Sequence, residues 1–316
     1  MPRLIRFIPE GGALVEITTR TLQGRLLLTP KPLLNRIIIG ALARASQRFN
    51  VGIVAAVFLS NHYHILARVD DAEQLSSFLA LFNSKLAREV GRLTGWKEKI
   101  WSRRFQAIVI SSEEGAQVER LRYVLSHGCK EGLVARLAEW PGVHCGPALL
   151  SGAPLEGVWH DRTREYLARL KGDEISPEDF VQPETLTFQA LPCWDPLSRE
   201  TYQARIAALV EEIEGEADAE RERSGRPPLG AEAIRRQNPT TQPNQIKKSP
   251  APRFHAFTKR TRKELYQAYS WFVAAFREAA EKLRQGDRNA QFPQGCFPPH
   301  LPFVREAPPP ILPQPA

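Results

Sequence analysis

Residues 51–69, Val-Gly-Ile-Val-Ala-Ala-Val-Phe-Leu-Ser-Asn-His-Tyr-His-Ile-Leu-Ala-Arg-Val, decide the fold. The first nine form a short, continuous apolar run, the pattern of a strand covered on both faces. Ser60-Asn61 supplies a turn. Residues 62–69 return as a second strand, so the stretch reads as a hairpin. Successive side chains of a strand point to opposite faces, which puts His62 and His64 on one face and Tyr63 on the other. Two imidazoles so placed can chelate one ion. Strand histidines are also common as packing or surface residues, and the spacing by itself leaves both readings open.

On the N-terminal side, residues 13–20 alternate apolar with polar and are rich in β-branched types, which predicts a strand. After Pro30-Lys31-Pro32, residues 33–49 place Leu33, Leu34, Ile37, Ile38, Ala41, Leu42 and Ala45 at helical spacing. On the C-terminal side, residues 72–93 repeat Leu75, Phe78, Leu79, Phe82, Leu86 and Val90 with the same period and break at Gly95-Trp96. Residues 105–111 are strand-like, and a helix runs from about Glu113 to Ser126, ending at Gly128. The order strand, helix, strand, strand, helix, strand, helix predicts an α+β fold. It suits a ferredoxin-like, split βαβ antiparallel sheet with helices on one face.

This domain spans residues 1–160, with Trp140 to Trp159 read as a loop-rich closing segment. A helical extension follows over 161–225, with helices at 162–171 and 198–225. Residues 226–255 are polar and Pro-punctuated, which predicts a linker. A basic amphipathic helix occupies 256–290, where Leu265, Tyr269, Phe272, Val273, Phe276 and Ala280 share one face. Residues 291–316 form a Pro-rich tail without regular structure. The C-terminal extension is therefore mostly helical and partly disordered.

The net charge of +8 is uneven. Residues 1–150 carry 20 Lys+Arg against 12 Asp+Glu, and residues 151–316 carry 23 of each. A basic first domain favours a polyanionic partner, of which phosphate backbones are the commonest. No apolar run has signal-peptide or membrane-span length, so a cytoplasmic, nucleoid-associated protein is expected, with no membrane partner. Cys129, Cys145, Cys193 and Cys296 are scattered, with neither metal-ligand nor disulfide spacing, and read as reduced packing residues.

The helix near Glu113 adds a second half to the histidine pair. Tyr123 and His127 are four residues apart and share one helix face. If that face packs beside the strand bearing His62 and His64, a phenol and a third imidazole join the pair. Three nitrogen ligands leave coordination positions open for a phosphate oxygen. Spacing equally allows Tyr123 as a core aromatic and His127 as a helix C-terminal cation.

The run Val57-Phe58-Leu59-Ser60-Asn61-His62-Tyr63-His64-Ile65-Leu66 resembles the HUH motif, histidine-hydrophobic-histidine, of single-tyrosine transposases. The run Leu121-Arg122-Tyr123-Val124-Leu125-Ser126-His127-Gly128-Cys129-Lys130 is similar to their tyrosine helix, and 59 residues separate His64 from Tyr123. Trp101-Ser102-Arg103-Arg104-Phe105 resembles a segment of the REP-associated branch of that group. The likeness covers roughly residues 10–160.

This resemblance implies cleavage and rejoining of single-stranded or hairpin DNA through a 5′-phosphotyrosine intermediate. Tyr123 would be the nucleophile, with His62, His64 and His127 holding Mg²⁺ or Mn²⁺. Arg20, Arg103, Arg104 and Lys130 are the expected DNA contacts, and a homodimer is compatible with it. A domesticated hairpin-binding protein without cleavage, and a small metal-dependent phosphoesterase, are the competing readings. Two departures from the family pattern stand out: His127-Gly128 where Asn-Pro is usual, and Glu16 where the first strand commonly has histidine. An imidazole in place of an amide shifts metal preference toward softer ions.

Overall fold

The computed structural model describes residues 5–172, 175–243 and 252–296. The predicted order is realised as β1 (Ala13–Arg20), α1 (Pro32–Phe49), β2 (Gly52–Leu59), β3 (His62–Val69), α2 (Ala72–Thr94), β4 (Gln106–Ile110) and α3 (Glu114–Leu125). Local chemistry sets these limits. Pro32 opens α1, where its missing N–H costs nothing, and Asn50 ends that helix in the left-handed region. Asp71 caps α2 by accepting from the amides of Glu73 and Gln74, and Gly95 closes it at φ +69°.

The strands pair in the order β2-β3-β1-β4, antiparallel throughout, so β3 lies between the otherwise parallel β1 and β2 as a split βαβ arrangement requires. The far edge carries a strand the sequence reading missed, β7 (Phe254–His255), parallel to β4 through Val109 and Ile110. Two residues within a polar stretch give no alternation to detect.

Alternation divides the sheet between two cores. Val15, Ile17, Phe58, Tyr63 and Ile65 pack with α1 and α2. Leu14, Val57, Leu59, Leu66 and Ile110 face the other way and pack with α3, α4 (Gly146–Ser151) and α6 (Arg199–Ser224). Helices therefore flank both faces rather than one, with α3, α4 and α6 covering the side from which the histidines project. The physical reason is visible in β2, which is apolar on both sides and needs two covers.

The segment predicted as loop-rich contains β5 (Leu155–His160), which pairs antiparallel with β6 (Val181–Leu186) in a second, two-stranded sheet laid across α1. Contact there is backbone to backbone: a Cβ on Gly40 would lie 2.2 Å from the carbonyl oxygen of Val158. Helix α5 (Arg162–Lys171) links the two strands. Within the predicted linker, Ala231–Arg235 forms a short helix, α7, while residues 244–251 fall outside the described residues. The final helix, α8, spans Lys259–Arg284. Of the predicted Pro-rich tail, residues 297–316 likewise lie outside the described residues. Among the described residues no helix is long and apolar enough to cross a membrane, and all four cysteines are free thiols, Cys129 and Cys145 being buried.

Candidate functional site

Partners directly opposite in an antiparallel pair share a face. The register Arg20 with His62 and Thr18 with His64 thus puts Glu16, Thr18 and Arg20 on the histidine face, under α3. Tyr63, on the reverse, is fully buried and donates to Asn83 on α2 at 2.8 Å. Helix α3 ends at Leu125, so His127 sits just past the helix rather than on it. Its place is fixed by a tight turn in which Gly128 adopts φ +92°, a conformation that glycine reaches without strain. Buried His144 donates from Nε2 to the Leu125 carbonyl at 3.2 Å and holds the helix end.

The structure brings His62, His64 and His127 together, with one potential ligand nitrogen of each within 4.8 Å of the others. Their environments also agree. Nδ1 of His62 lies 2.6 Å from Asn61 Oδ1, that of His64 2.8 Å from Glu16 Oε1, and that of His127 2.9 Å from Glu131 Oε1. Asn61 donates its amide nitrogen to the Gly24 carbonyl, which fixes its oxygen toward His62. Oxygen acceptors at all three Nδ1 atoms assign the proton there and leave Nε2 as the lone pair for an ion. Burial pushes His62 well below the usual imidazole range, helped by His64 and His127. Burial also lowers His127 to about 4 against the opposing pull of Glu131. The neutral imidazole is the ligating form, so the lowered His62 and His127, together with three convergent nitrogens, fit a divalent cation.

Tyr123 is beside this cluster, its ring centroid 4.9 Å from that of His127 and 5.4 Å from that of His64. It is half-buried and not a core aromatic. Two cations lie against the ring, Arg120 Cζ at 4.0 Å and Lys130 Nζ at 3.4 Å from its centroid. Burial raises the phenol above its ordinary pKa, with nearby Glu16 adding to this and Arg120 opposing. Burial brings Lys130 down to about 8, and its Nζ is 3.3 Å from His127 Nε2.

Glu16 connects these groups. It is 2% exposed, and its carboxylate meets His64 Nδ1 at 2.8 Å, Arg120 at 2.8 Å and His255 Nε2 at 2.9 Å. Burial alone would raise its pKa, but the bonds from His255 and His64 and the Arg120 charge outweigh it, holding the group far below the usual carboxylate range. His255 comes from β7.

Around the cluster opens a cleft of about 980 Å³, lined by Arg20, Arg103, Arg104 and Arg120 and by Arg262 of α8. The predicted DNA contacts Arg20, Arg103 and Arg104 line it. Lys130 instead lies against the Tyr123 ring and does not line the cleft. The residues that sequence reasoning passed over are Arg120, Glu131, His255 and the α8 side chains. Arg120 is one turn before Tyr123, so helical spacing was an available signal for it, whereas Glu131 lies in the turns past the helix and had none. His255 had none.

A solved structure of the REP-associated tyrosine transposase bound to a REP hairpin is similar at 18% identity and a TM-score of 0.40, over 48% of this chain and 86% of that one. A second, a protein from Deinococcus radiodurans R1 designated a transposase, is similar at 11% identity and a TM-score of 0.25, over 38% and 95%. No family model matches the chain, and no curated protein does.

Proposed function

We propose that the protein cleaves and rejoins single-stranded or hairpin DNA, with Tyr123 as nucleophile and a divalent cation held by His62, His64 and His127. The observation that carries this reading is the meeting of three ligand nitrogens within 4.8 Å beside a half-exposed phenol, inside a cleft lined by arginines. The Tyr123 Oη attacks the scissile phosphorus, the bond to the 3′-oxygen breaks, and in net terms the phenolic proton ends on that departing oxygen. The product is a 5′-phosphotyrosine and a free 3′-hydroxyl. Rejoining is the reverse, a 3′-hydroxyl displacing Tyr123, which regains its proton. The bound cation supplies charge stabilisation to the phosphate oxygens.

The chain's own residues prepare this step. Glu131 and Glu16 fix two ligand rings, and Asn61 the third. Arg120 and Lys130 hold positive charge against the phenol as its proton leaves. Arg20 and Arg103 are placed for phosphate contacts. The test is incubation of the purified chain with Mg²⁺ or Mn²⁺ and end-labelled hairpin oligonucleotides from its genomic neighbourhood. A denaturation-resistant adduct is expected, stronger with Mn²⁺ and absent from Tyr123→Phe. An adduct persisting in Tyr123→Phe ends the assignment.

A second reading, hairpin binding without cleavage, draws on one observation: Lys130 Nζ sits 3.3 Å from His127 Nε2, the nitrogen an ion needs. Tight hairpin binding with neither adduct nor Mn²⁺ affinity is its signature.

A further inference from the structure

The cleft at Tyr123 has a second wall that the first domain does not make. Phe254 and His255 of β7 and Arg262 and Tyr266 of α8 line it at the far edge of the sheet, beside β4. This wall is fastened at three points. Strand β7 pairs with β4, His255 meets Glu16 at 2.9 Å, and Glu113, just before α3, accepts from the amides of Phe257 and Thr258 and from the Thr261 hydroxyl at 2.8–3.2 Å. Thr258 caps α8 by accepting from the Thr261 amide, and the Glu113 contact ties that helix start to the helix that carries Tyr123.

The side chains on this wall are of two kinds. Arg262 is exposed and makes no ion pair among the described residues, its bond being to the Ala256 carbonyl at 3.3 Å. Its neighbour Arg260 pairs with Glu264 at 2.9 Å. Tyr266 is 43% exposed and is held edge-to-face on Phe254, with ring centroids 5.3 Å apart. A cation with an aromatic beside it, in a cleft of net positive lining, is the arrangement that grips unpaired nucleotides by phosphate contact and base stacking.

We infer that β7 and the start of α8 bind a single-stranded DNA segment continuous with the scissile phosphate, Arg262 meeting a phosphate and Tyr266 stacking on a base. This rests on the proposed nicking reading for what occupies the cleft, but it makes a separate demand: unpaired nucleotides beyond the hairpin. A duplex offers Tyr266 no free base face, so a hairpin without an extension gains nothing from this wall.

The test uses the full chain carrying Tyr123→Phe, so that binding is read without turnover. Anisotropy titrations compare a hairpin bearing a single-stranded extension with the same hairpin lacking it, over a salt series. Tyr266→Ala is expected to weaken binding of the extended hairpin about tenfold, within the range one stacked base supplies. Arg262→Ala is expected to reduce the slope of log affinity against log salt by about 0.7, the value for one phosphate of a single strand, and Arg262→Lys to restore it. The blunt hairpin is expected to bind all variants alike. Unchanged affinity and slope on the extended hairpin overturn the inference, as does an equal loss on the blunt one. The adduct assay is independent: binding that follows this pattern without any wild-type adduct removes the nicking reading and keeps the wall, and an adduct with no variant effect does the opposite.

Discussion

Replacing Glu16 by Gln tests whether one buried carboxylate organises the site. The amide is nearly isosteric but carries no charge, and the carboxylate it replaces lies 2.8 Å from His64 Nδ1, 2.8 Å from Arg120 and 2.9 Å from His255. Two losses follow. An outer partner that orients a metal-binding imidazole is typically worth 10- to 100-fold in metal affinity, about 1.4–2.7 kcal/mol. Removing one member of a buried ion cluster costs roughly 3–5 kcal/mol of stability, because the remaining charge stays uncompensated. Arg120 retains 12% exposure and can turn partly toward water, so the lower end of that range is expected. Calorimetric titration of the full chain with Mn²⁺ reads the first loss, and urea denaturation of the ion-free chain reads the second. A purely structural Glu16 lowers the denaturation midpoint and leaves Mn²⁺ affinity of the folded protein unchanged. Folded Glu16→Gln protein that binds Mn²⁺ within twofold of wild type therefore refutes the reasoning.

Two further predictions concern the frame that positions the site. In Gly40→Ala, helix propensity alone adds about 1 kcal/mol, but the new Cβ would lie 2.2 Å from the Val158 backbone. Backbone cannot rotate aside as a side chain can, so overpacking of about 3 kcal/mol wins; a melting temperature equal to or above wild type contradicts this. Glu89 is 1% exposed and accepts Lys85 and Arg162 at 2.9 Å each. Burial would raise its pKa, yet the bonds from Arg162 and Lys85 bring it to about 2. A depressed folded pKa stabilises above the unfolded value of about 4.3 and is lost as pH falls through the folded value. Glu89→Gln should thus lose on the order of 3 kcal/mol at pH 7, with the gap to wild type closing as pH falls from about 4.3 toward 2. A gap that is the same near pH 2.5 as at pH 7 is the contrary result.

Local pattern was enough for the hairpin, the two helices over the sheet and the pairing of His62 with His64, because each depends on neighbours within a few residues. What it could not carry was closure over distance. Strand β7 is two residues long and is a strand only because β4 offers an open edge. Strand β5 hides in a stretch whose Gly157 reads as a loop signal, although glycine is there because α1 approaches too closely for a side chain.

The two departures from the family pattern take on meaning in this light. A carboxylate in the first strand, taken alone, places an anion in a dry site. Here it is met by an imidazole from β3, a guanidinium from α3 and a second imidazole from β7. An imidazole after the tyrosine helix needs an acceptor for its Nδ1, and Glu131 provides it, its other oxygen taking the Gly128 amide at 2.7 Å in the left-handed turn. Each unexpected residue therefore arrives with partners of opposite charge or hydrogen-bonding character: Glu131 accepts from His127, and Glu16 meets His64 through Oε1. Oε2 of Glu16 lies within ion-pair distance of Arg120 and His255 but makes no hydrogen bond among the described residues. On the proposed reading, His127 is a ligand and Glu16 the support of its neighbour His64, and Lys130, in contact with both His127 and Tyr123, is the residue through which ion binding and the nucleophile would influence one another.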